Sequence, residues 1–200
     1  MKKLTVDLKR NSTNKKPTFR RLNLDEINKI NTKPHVKFIF VRDPLERLIS
    51  AWNDKLRSLN EDKKGWKPFR RWVIHEAHVN DARRKHISYD DRPSLEEFLT
   101  TLSHPVSEIR RMDEHWMPIS NLCLPCQVDF DYIGSTDDMA LEFKFILQKA
   151  LGDRYPEDLE IPDQNQVFGQ HRELLTEINQ QVLGEIKSKY SHDLAMFSRQ

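Results

Sequence analysis

The sequence has little glycine, only two cysteines and no long apolar run. Five glycines in 200 residues leave little room for low-complexity sequence. No stretch approaches the roughly 20 apolar residues of a membrane span, and the basic N-terminus is not followed by the apolar core of a signal peptide. We therefore expect neither a signal peptide nor a transmembrane segment within these residues.

A strong net charge is also absent. The formal net charge is +2, with 37% hydrophobic and 32% charged residues, which is a polar but globular composition. Two hundred residues are enough for one domain with a real core. We predict a basic, flexible segment over residues 1–22 and one folded domain over residues 23–200. The near balance of charge gives no reason to expect a nucleic-acid partner. A weaker alternative uses the basic stretches 1–21 and 63–86 to bind nucleic acid.

Residues 37–56 predict a strand, a tight turn and a helix. The run 38–41 (Phe-Ile-Phe-Val) is short, apolar and rich in β-branched and aromatic residues, as buried strands are. Asp43 is a good helix cap, and Pro44 suits the first helical turn, where its missing N–H costs nothing. Beyond it, apolar residues recur at helical spacing and form one face: Leu45, Leu48, Ile49, Trp52 and Leu56.

This unit also predicts an anion site. Arg42 stands at the carboxyl end of the predicted strand, where ligands bind in open α/β sheets, and a helix N-terminus favours anions. Its guanidinium is suited to phosphate, and Ser50 could offer a hydroxyl to the same group. The alternative is that Arg42 pairs with Glu46 while Ser50 lies at a packing contact. The local chemistry alone leaves both interpretations open.

The string 42–55, Arg-Asp-Pro-Leu-Glu-Arg-Leu-Ile-Ser-Ala-Trp-Asn-Asp-Lys, resembles the 3′-phosphate-binding motif of the Golgi carbohydrate sulfotransferases. That family includes the chondroitin and dermatan 4-O-sulfotransferases, whose donor is 3′-phosphoadenosine 5′-phosphosulfate. The resemblance implies that Arg42 and Ser50 grip the 3′-phosphate on the turn of Asp43 and Pro44. Arg47 would be a third contact, unless it pairs with a carboxylate. The implied fold is α/β, a P-loop-like sulfotransferase fold with a parallel sheet flanked by helices.

A second block, residues 113–134, resembles the same family. It contains His-Trp-Met-Pro, then Leu-Cys-Leu-Pro-Cys, then Phe-Asp-Tyr-Ile-Gly, in the order and spacing that the family has. The end of the chain is similar to the family's closing Tyr-x-x-Asp-x-x-x-Phe, with Tyr190, Asp193 and Phe197 in register. The resemblance therefore runs from about residue 24 to the C-terminus.

His115 is the candidate general base within this block. An acceptor hydroxyl must lose its proton as it attacks sulfur, and imidazole titrates in the required range. The flanking Asp113 and Glu114 could orient His115 or act as the base themselves. The alternative is a structural histidine that makes hydrogen bonds beside a buried Trp116.

Cys123 and Cys126 have Cys-x-x-Cys spacing. A zinc site would need two further ligands, and no second pair exists, so we predict no metal. A redox role requires the pair at a helix N-terminus in a suitable fold. In a secretory compartment one or both could form structural disulfides. We favour a structural use of the pair.

Five helices are predicted from apolar spacing, over residues 23–31, 69–77, 94–102, 137–151 and 171–189. Around the second helix, a set of basic residues predicts a basic surface: Arg70, Arg71, Arg83, Arg84 and Lys85. Such a surface is either a solvated helical face or a groove for a polyanionic glycan, whose carboxylates and sulfates need such partners.

The sequence departs from the family at one point. The family's loop for the 5′-phosphosulfate carries a lysine and should precede the Arg-Asp-Pro motif by many tens of residues. Only 41 residues precede Arg42, and none forms that loop, so we expect a sheet that is incomplete at the N-terminus. The resemblance also implies a Golgi location, with membrane attachment only through an anchor outside these residues.

The leading prediction is a carbohydrate O-sulfotransferase. It would transfer a sulfuryl group from 3′-phosphoadenosine 5′-phosphosulfate to a hydroxyl of an acidic, chondroitin- or dermatan-like glycan. The alternative is a non-catalytic relative that binds a nucleotide or glycan, since it lacks the 5′-phosphosulfate loop.

Overall fold

A computed structural model of the chain describes residues 23–32, 35–58, 65–78, 91–104, 113–156, 158–159 and 172–197. Within these ranges the chain forms two strands and eight α-helices. The strands are β1 (Phe38–Val41) and β2 (Tyr132–Ser135). The helices are α1 (Leu24–Thr32), α2 (Pro44–Ala51), α3 (Lys67–Ala77), α4 (Leu95–Ser103), α5 (Ile119–Leu122), α6 (Met139–Leu151), α7 (Gln180–Lys189) and α8 (Ser191–Phe197). The predicted segment 1–22 lies outside the described residues.

The two strands form a small parallel sheet. Phe38 pairs with Tyr132 and Val41 with Ser135, so both strands end at the same edge. Gly134 lies opposite Phe40, where an added Cβ would come within 2.7 Å of the Phe40 ring. A mixed α/β fold with a parallel sheet is therefore confirmed for the described part of the chain, which is mostly helical. The strand β2 was not predicted from sequence periodicity.

The predicted strand, turn and helix are confirmed, but the expectation of a buried strand is wrong in part, because Phe38 is 41% exposed and only Val41 of the strand is buried. β1 spans Phe38–Val41, and Asp43 caps α2, with Pro44 in the first turn. Leu48, Ile49, Trp52 and Leu56 are buried, as the apolar spacing predicts. After Ala51 the helix widens into a π-helical turn, Trp52–Arg57, which was not predicted.

Helices α3, α4 and α7 pack around the main apolar core. The capping box predicted at the start of α4 is confirmed, because Ser94 and Glu97 each accept the other's backbone N–H. In the interface with α3, the buried Thr101 hydroxyl lies 3.0 Å from the Val73 carbonyl and 2.9 Å from the Glu97 carbonyl. Trp116, which is 1% exposed, belongs to this core, so the loop that carries His115 is attached to it.

Two predicted apolar faces are wrong in part. Leu24 on α1 is 73% exposed and Leu141 on α6 is 72% exposed, whereas Ile27 and Ile146 are buried. At about 100° per residue, side chains two positions apart lie on opposite sides of a helix. Met139, Leu141 and Phe143 therefore cannot share one buried face.

The single helix predicted over residues 171–189 is also wrong. The structure has a 3₁₀ segment, Arg172–Glu177, then a break, then α7. The side chain of Asn179 accepts the N–H of Gln181 at 2.8 Å and starts a new helix there. A local side-chain hydrogen bond thus overrides apolar periodicity that continues across the break.

Within the described ranges, none of the helices is both long enough and apolar enough to cross a membrane.

Candidate active site

Arg42 directly follows β1, at the strand's carboxyl end, as predicted. Its Nε lies 3.8 Å from Glu46 Oε2, and the two side chains are only 21% and 11% exposed. The ion pair that the sequence left open is therefore formed. It holds the guanidinium against the first turn of α2 and does not let it extend into solvent.

Ser50 lies on the same helix, eight residues after Arg42. Residues four apart stack on one helical face, so Ser50 lies on the same side of α2 as Glu46, the residue that pairs with Arg42. Asp43 Oδ1 already accepts the N–H groups of Leu45 and Glu46, at 3.0 and 3.1 Å. These two amides are therefore used by the cap.

Arg47, also on α2, contacts a distant loop. Its Nη1 donates to the Met117 carbonyl and its Nη2 donates to the Glu114 carbonyl. Burial lowers the pKa of the Arg47 guanidinium, while the nearby Tyr190, Asp193 and Cys123 raise it. The pairing of Arg47 with a carboxylate, one of the two predicted roles, is replaced by contacts to two backbone carbonyls. Its predicted contact with a bound nucleotide stays a prediction.

His115 lies in the turn that Arg47 brackets. The N–H groups of Trp116 and Met117 both donate to the Asp113 carbonyl, at 3.1 and 2.9 Å, and close the turn. Asp113 Oδ1 accepts the backbone N–H of His115 at 3.0 Å and also pairs with Nδ1 of the His115 ring. Because a carboxylate oxygen only accepts, this contact favours the hydrogen on Nδ1, which leaves Nε2 of a neutral ring with the lone pair. Asp113 thus orients His115, one of the two roles predicted for it.

Two residues near the end of the chain bind backbone groups of this turn and of the start of α5, which follows it. The buried Tyr190 hydroxyl donates to the Trp116 carbonyl, and burial raises the pKa of Tyr190. The carboxylate of Asp193, which is 1% exposed, accepts the N–H groups of Ile119 and Ser120 at the start of α5. The sequence placed Tyr190 and Asp193 in a closing motif but assigned them no role.

Aromatic rings surround the His115 side chain, which is 35% exposed. The Trp66 ring meets it edge-on at 5.6 Å between centroids, and the Trp116 ring lies at 6.2 Å. The ring is therefore restrained on two sides by aromatic contacts and at Nδ1 by a carboxylate.

The predicted basic surface is corrected at Arg70. This residue is 8% exposed and donates to the carbonyls of Lys55, at 2.9 Å, and Ser58, at 3.0 Å, where the π-helical turn ends. Unsatisfied carbonyls at a helix end attract a buried cation, which apolar spacing does not reveal. Arg71 is exposed, as predicted. Arg83, Arg84 and Lys85 lie outside the described residues.

Cys123 and Cys126 are both free thiols. Cys123 is half-buried, and its burial raises its pKa, while Arg47 opposes that shift. Asp113, Glu114 and His115 offer ligand atoms within 4.8 Å of one another. However, the Oδ1 atom of Asp113 is already shared by two groups of His115. We assign no metal to this cluster.

The fold and the site together define a class. This is a mixed α/β protein in which a strand end and the helix after it present an arginine and a serine. The same helix holds a turn that carries a paired aspartate and histidine. Comparison with known proteins makes the assignment specific: residues 2–198 match the model of the sulfotransferase family. The chain belongs to the sulfotransferase family, which confirms the resemblance found in the two sequence blocks.

The similar curated proteins are carbohydrate sulfotransferases. Carbohydrate sulfotransferase 14 of Danio rerio is 32% identical over 169 residues, which is 82% of this chain and 43% of that protein. Carbohydrate sulfotransferase 12 of Xenopus laevis is 33% identical over 124 residues, 60% of this chain and 30% of that protein. Carbohydrate sulfotransferase 11 of Mus musculus is 27% identical over 186 residues, 90% of this chain and 51% of that protein.

The chain thus spans about half or less of the length of these relatives. No solved structure matches the chain significantly.

Proposed function

We propose that this chain transfers a sulfuryl group from 3′-phosphoadenosine 5′-phosphosulfate to a hydroxyl of an acidic, chondroitin- or dermatan-like glycan. The observation that carries the proposal is the arrangement on α2. Arg42 lies between β1 and α2, Ser50 lies on α2, and Arg47 of the same helix contacts the turn that holds His115. The family assignment and the names of the relatives support both the donor class and a carbohydrate acceptor.

In this proposal Arg42 and Ser50 hold the donor's 3′-phosphate. Arg42 supplies a fixed cation, and the hydroxyl of Ser50 supplies a hydrogen-bond donor one helical turn beyond Glu46. Asp43 and Pro44 shape the turn on which the phosphate rests, because the Asp43 cap fixes the start of α2. None of the described residues is assigned to the 5′-phosphosulfate.

The chemical step is a displacement at sulfur. The acceptor oxygen forms a bond to sulfur as the bond between sulfur and the 5′-phosphate oxygen breaks. The hydroxyl proton passes to Nε2 of His115, which holds the lone pair because Nδ1 donates to Asp113. The products are a sulfate ester and adenosine 3′,5′-bisphosphate. Most of the rate enhancement in such transfers comes from alignment and charge stabilisation, so positioned groups matter most.

The proposed acceptor and location follow from the family. An acidic glycan needs cationic partners, and the exposed Arg71 on α3 is one candidate among the described residues. We propose that the protein works in the Golgi lumen, like the family it resembles, and that any membrane anchor lies outside the residues described here.

The test is a calorimetric titration with adenosine 3′,5′-bisphosphate, together with an assay of labelled sulfate transfer. Arg42→Ala should lower nucleotide affinity by about 10²-fold or more, because it removes a charge-assisted contact. The matched control is Arg57→Ala, which removes the same charge from the exposed continuation of the same helix. Unchanged affinity in Arg42→Ala would overturn the donor site. Binding without any transfer would favour a non-catalytic relative.

A further inference from the structure

The two terminal nitrogens of Arg47 donate to backbone carbonyls on either side of His115. We call the guanidinium with these two hydrogen bonds the Arg47 fork. Glu114 precedes the histidine and Met117 follows two residues after it, so the two contacts bracket the turn. The turn's own hydrogen bonds run to the Asp113 carbonyl and do not use either of these two acceptors. A planar guanidinium with two engaged nitrogens fixes both the distance and the tilt between its acceptors.

The same turn has anchors on three different elements. Arg47 holds it from α2, Tyr190 from the end of α7 and Asp193 from α8. Tyr190 and Asp193 bind at Trp116, Ile119 and Ser120, on the C-terminal side of the histidine. Among these three anchors, only Arg47 reaches the residue before His115.

We propose that Arg47 is a positioning residue that orients His115 relative to α2, the helix that follows Arg42 and carries Ser50. It acts through the Glu114 and Met117 carbonyls and not on the bound nucleotide. When both nitrogens of Arg47 are bonded, the turn keeps the His115 ring hydrogen-bonded to Asp113, and the ring hydrogen stays on Nδ1. Without the fork, the Asp113–His115 pair loosens and the ring takes up the Nε2–H form common in free histidine. This inference rests on the proposed function for its catalytic meaning, but its physical content is testable without turnover.

The variant is Arg47→Lys, which keeps the charge but cannot span two carbonyls with a planar fork. The chain offers a matched control in Arg70→Lys. Arg70 is also a buried arginine that donates to two backbone carbonyls, of Lys55 and Ser58, away from the turn. Both variants should be less stable in urea unfolding, because each loses hydrogen bonds to backbone carbonyls. A general loss of stability therefore cannot account for a difference between them.

The decisive measurement is the pair of imidazole nitrogen NMR shifts of His115, assigned by their loss in His115→Asn. Wild type and Arg70→Lys should show the hydrogen on Nδ1, and Arg47→Lys should show a shift toward the Nε2–H form. A calorimetric titration with adenosine 3′,5′-bisphosphate should give Arg47→Lys an affinity within about threefold of wild type, because in this proposal the fork acts on the turn and not on the nucleotide.

Two outcomes would overturn the proposal, and a third would overturn only the proposed donor site. An unchanged His115 spectrum in Arg47→Lys would mean that the fork does not set the ring. A large loss of nucleotide affinity with an unchanged spectrum would make Arg47 a donor contact instead. If wild type binds no nucleotide while the spectrum still changes in Arg47→Lys, the positioning role stands and the proposed donor site fails.

Discussion

At the scale of single residues, the Asp113–His115 pair has the strongest chemical consequence. A carboxylate that accepts from Nδ1 fixes the tautomer of the ring and stabilises the imidazolium that forms when Nε2 takes a proton. The ring also contacts Trp66 edge-on, so its plane is restrained while about a third of the side chain stays accessible. The ring is therefore already held in one orientation for the proton transfer proposed above.

Replacing His115 by glutamine should lower kcat for sulfate transfer by about 10²–10⁴-fold, the usual contribution of a positioned base. KM for the donor should change little, because the residues proposed to hold the 3′-phosphate are Arg42 and Ser50 and not His115. The measurement is steady-state kinetics with labelled donor. His75→Gln is the matched control, since His75 lies on α3 with 65% of its side chain exposed. Equal rates in His115→Gln and wild type would remove the histidine from the mechanism.

The variant Asp113→Asn keeps the size of the Asp113 side chain but removes the negative charge that faces His115. The asparagine amide can turn its NH₂ group toward Nδ1, which would place the hydrogen on Nε2 and block proton uptake there. We expect kcat to fall while nucleotide affinity measured by calorimetry stays the same. A variant with full kcat would show that the pair has no part in the reaction.

At the scale of elements, the close approach of α6 to the sheet depends on Gly134. A Cβ at this position would lie 2.2 Å from Glu142 Oε2 and 2.7 Å from the Phe40 ring. Glu142 Oε2 also accepts the Ser135 N–H at 2.7 Å, so its carboxylate cannot move away without losing that bond.

Gly134→Ala should therefore lower the free energy of unfolding by about 1–3 kcal/mol, the usual cost of overpacking. Gly184→Ala is the internal comparison: it lies within α7 with nothing within 4 Å of an added Cβ. That variant should gain about 0.5–1 kcal/mol from helix propensity. Urea unfolding measures both variants: the free energy of unfolding should fall in Gly134→Ala and rise in Gly184→Ala. Equal effects would show that the contact at the sheet does not matter.

The elements that the sequence predicted are those with local signals. Asp43 with Pro44, and Ser94 with Glu97, mark helix starts within four residues, and both starts are confirmed. Strand β2 depends on its pairing with β1, and carbonyls at the end of the π-helical turn after Ala51 bind the distant Arg70. Their local sequences contain no comparable signal, so they were missed.

The candidate site was predictable in the same uneven way. Arg42, Ser50 and His115 are candidates because their side chains belong to recognisable motifs, and their roles stay predictions. The contacts of Arg47, Tyr190 and Asp193 were not found, because their partners are backbone groups, which every residue has. A sequence shows which residues carry a cation or a hydroxyl, but it does not show which backbone group each of them hydrogen-bonds.

At the scale of the whole molecule, the buried Tyr190 makes stability depend on alkaline pH. Burial raises the pKa of Tyr190 above its ordinary value of 10.0, although the Arg47 cation partly opposes this. The unfolded chain then loses the phenol proton at a lower pH than the folded chain does. Stability from this group is therefore complete below pH 10.0 and falls as the pH rises further.

Tyr190→Phe isolates the effect. Near neutral pH the variant should be less stable by about 1 kcal/mol, because the Trp116 carbonyl loses its donor. Above pH 10.0 the wild type should lose up to about 1.4 kcal/mol per pH unit from this group, so the gap should narrow. The pKa of Cys123 is raised and that of Lys189 is lowered, but both groups are present in both proteins. A gap that stays constant across an alkaline urea-unfolding series would contradict the assignment.

The parallel pairing of β1 and β2 has a consequence for how the protein folds. Phe38 pairs with Tyr132, and the Trp116 carbonyl contacts Tyr190 across 74 residues of chain. Contacts of such separation must overcome a large loop-closure entropy before they become favourable, so they form late. Helices such as α4 can gain structure early from their own caps, but no short fragment of this chain can contain the site. The catalytic geometry should therefore appear and disappear with the global folding transition.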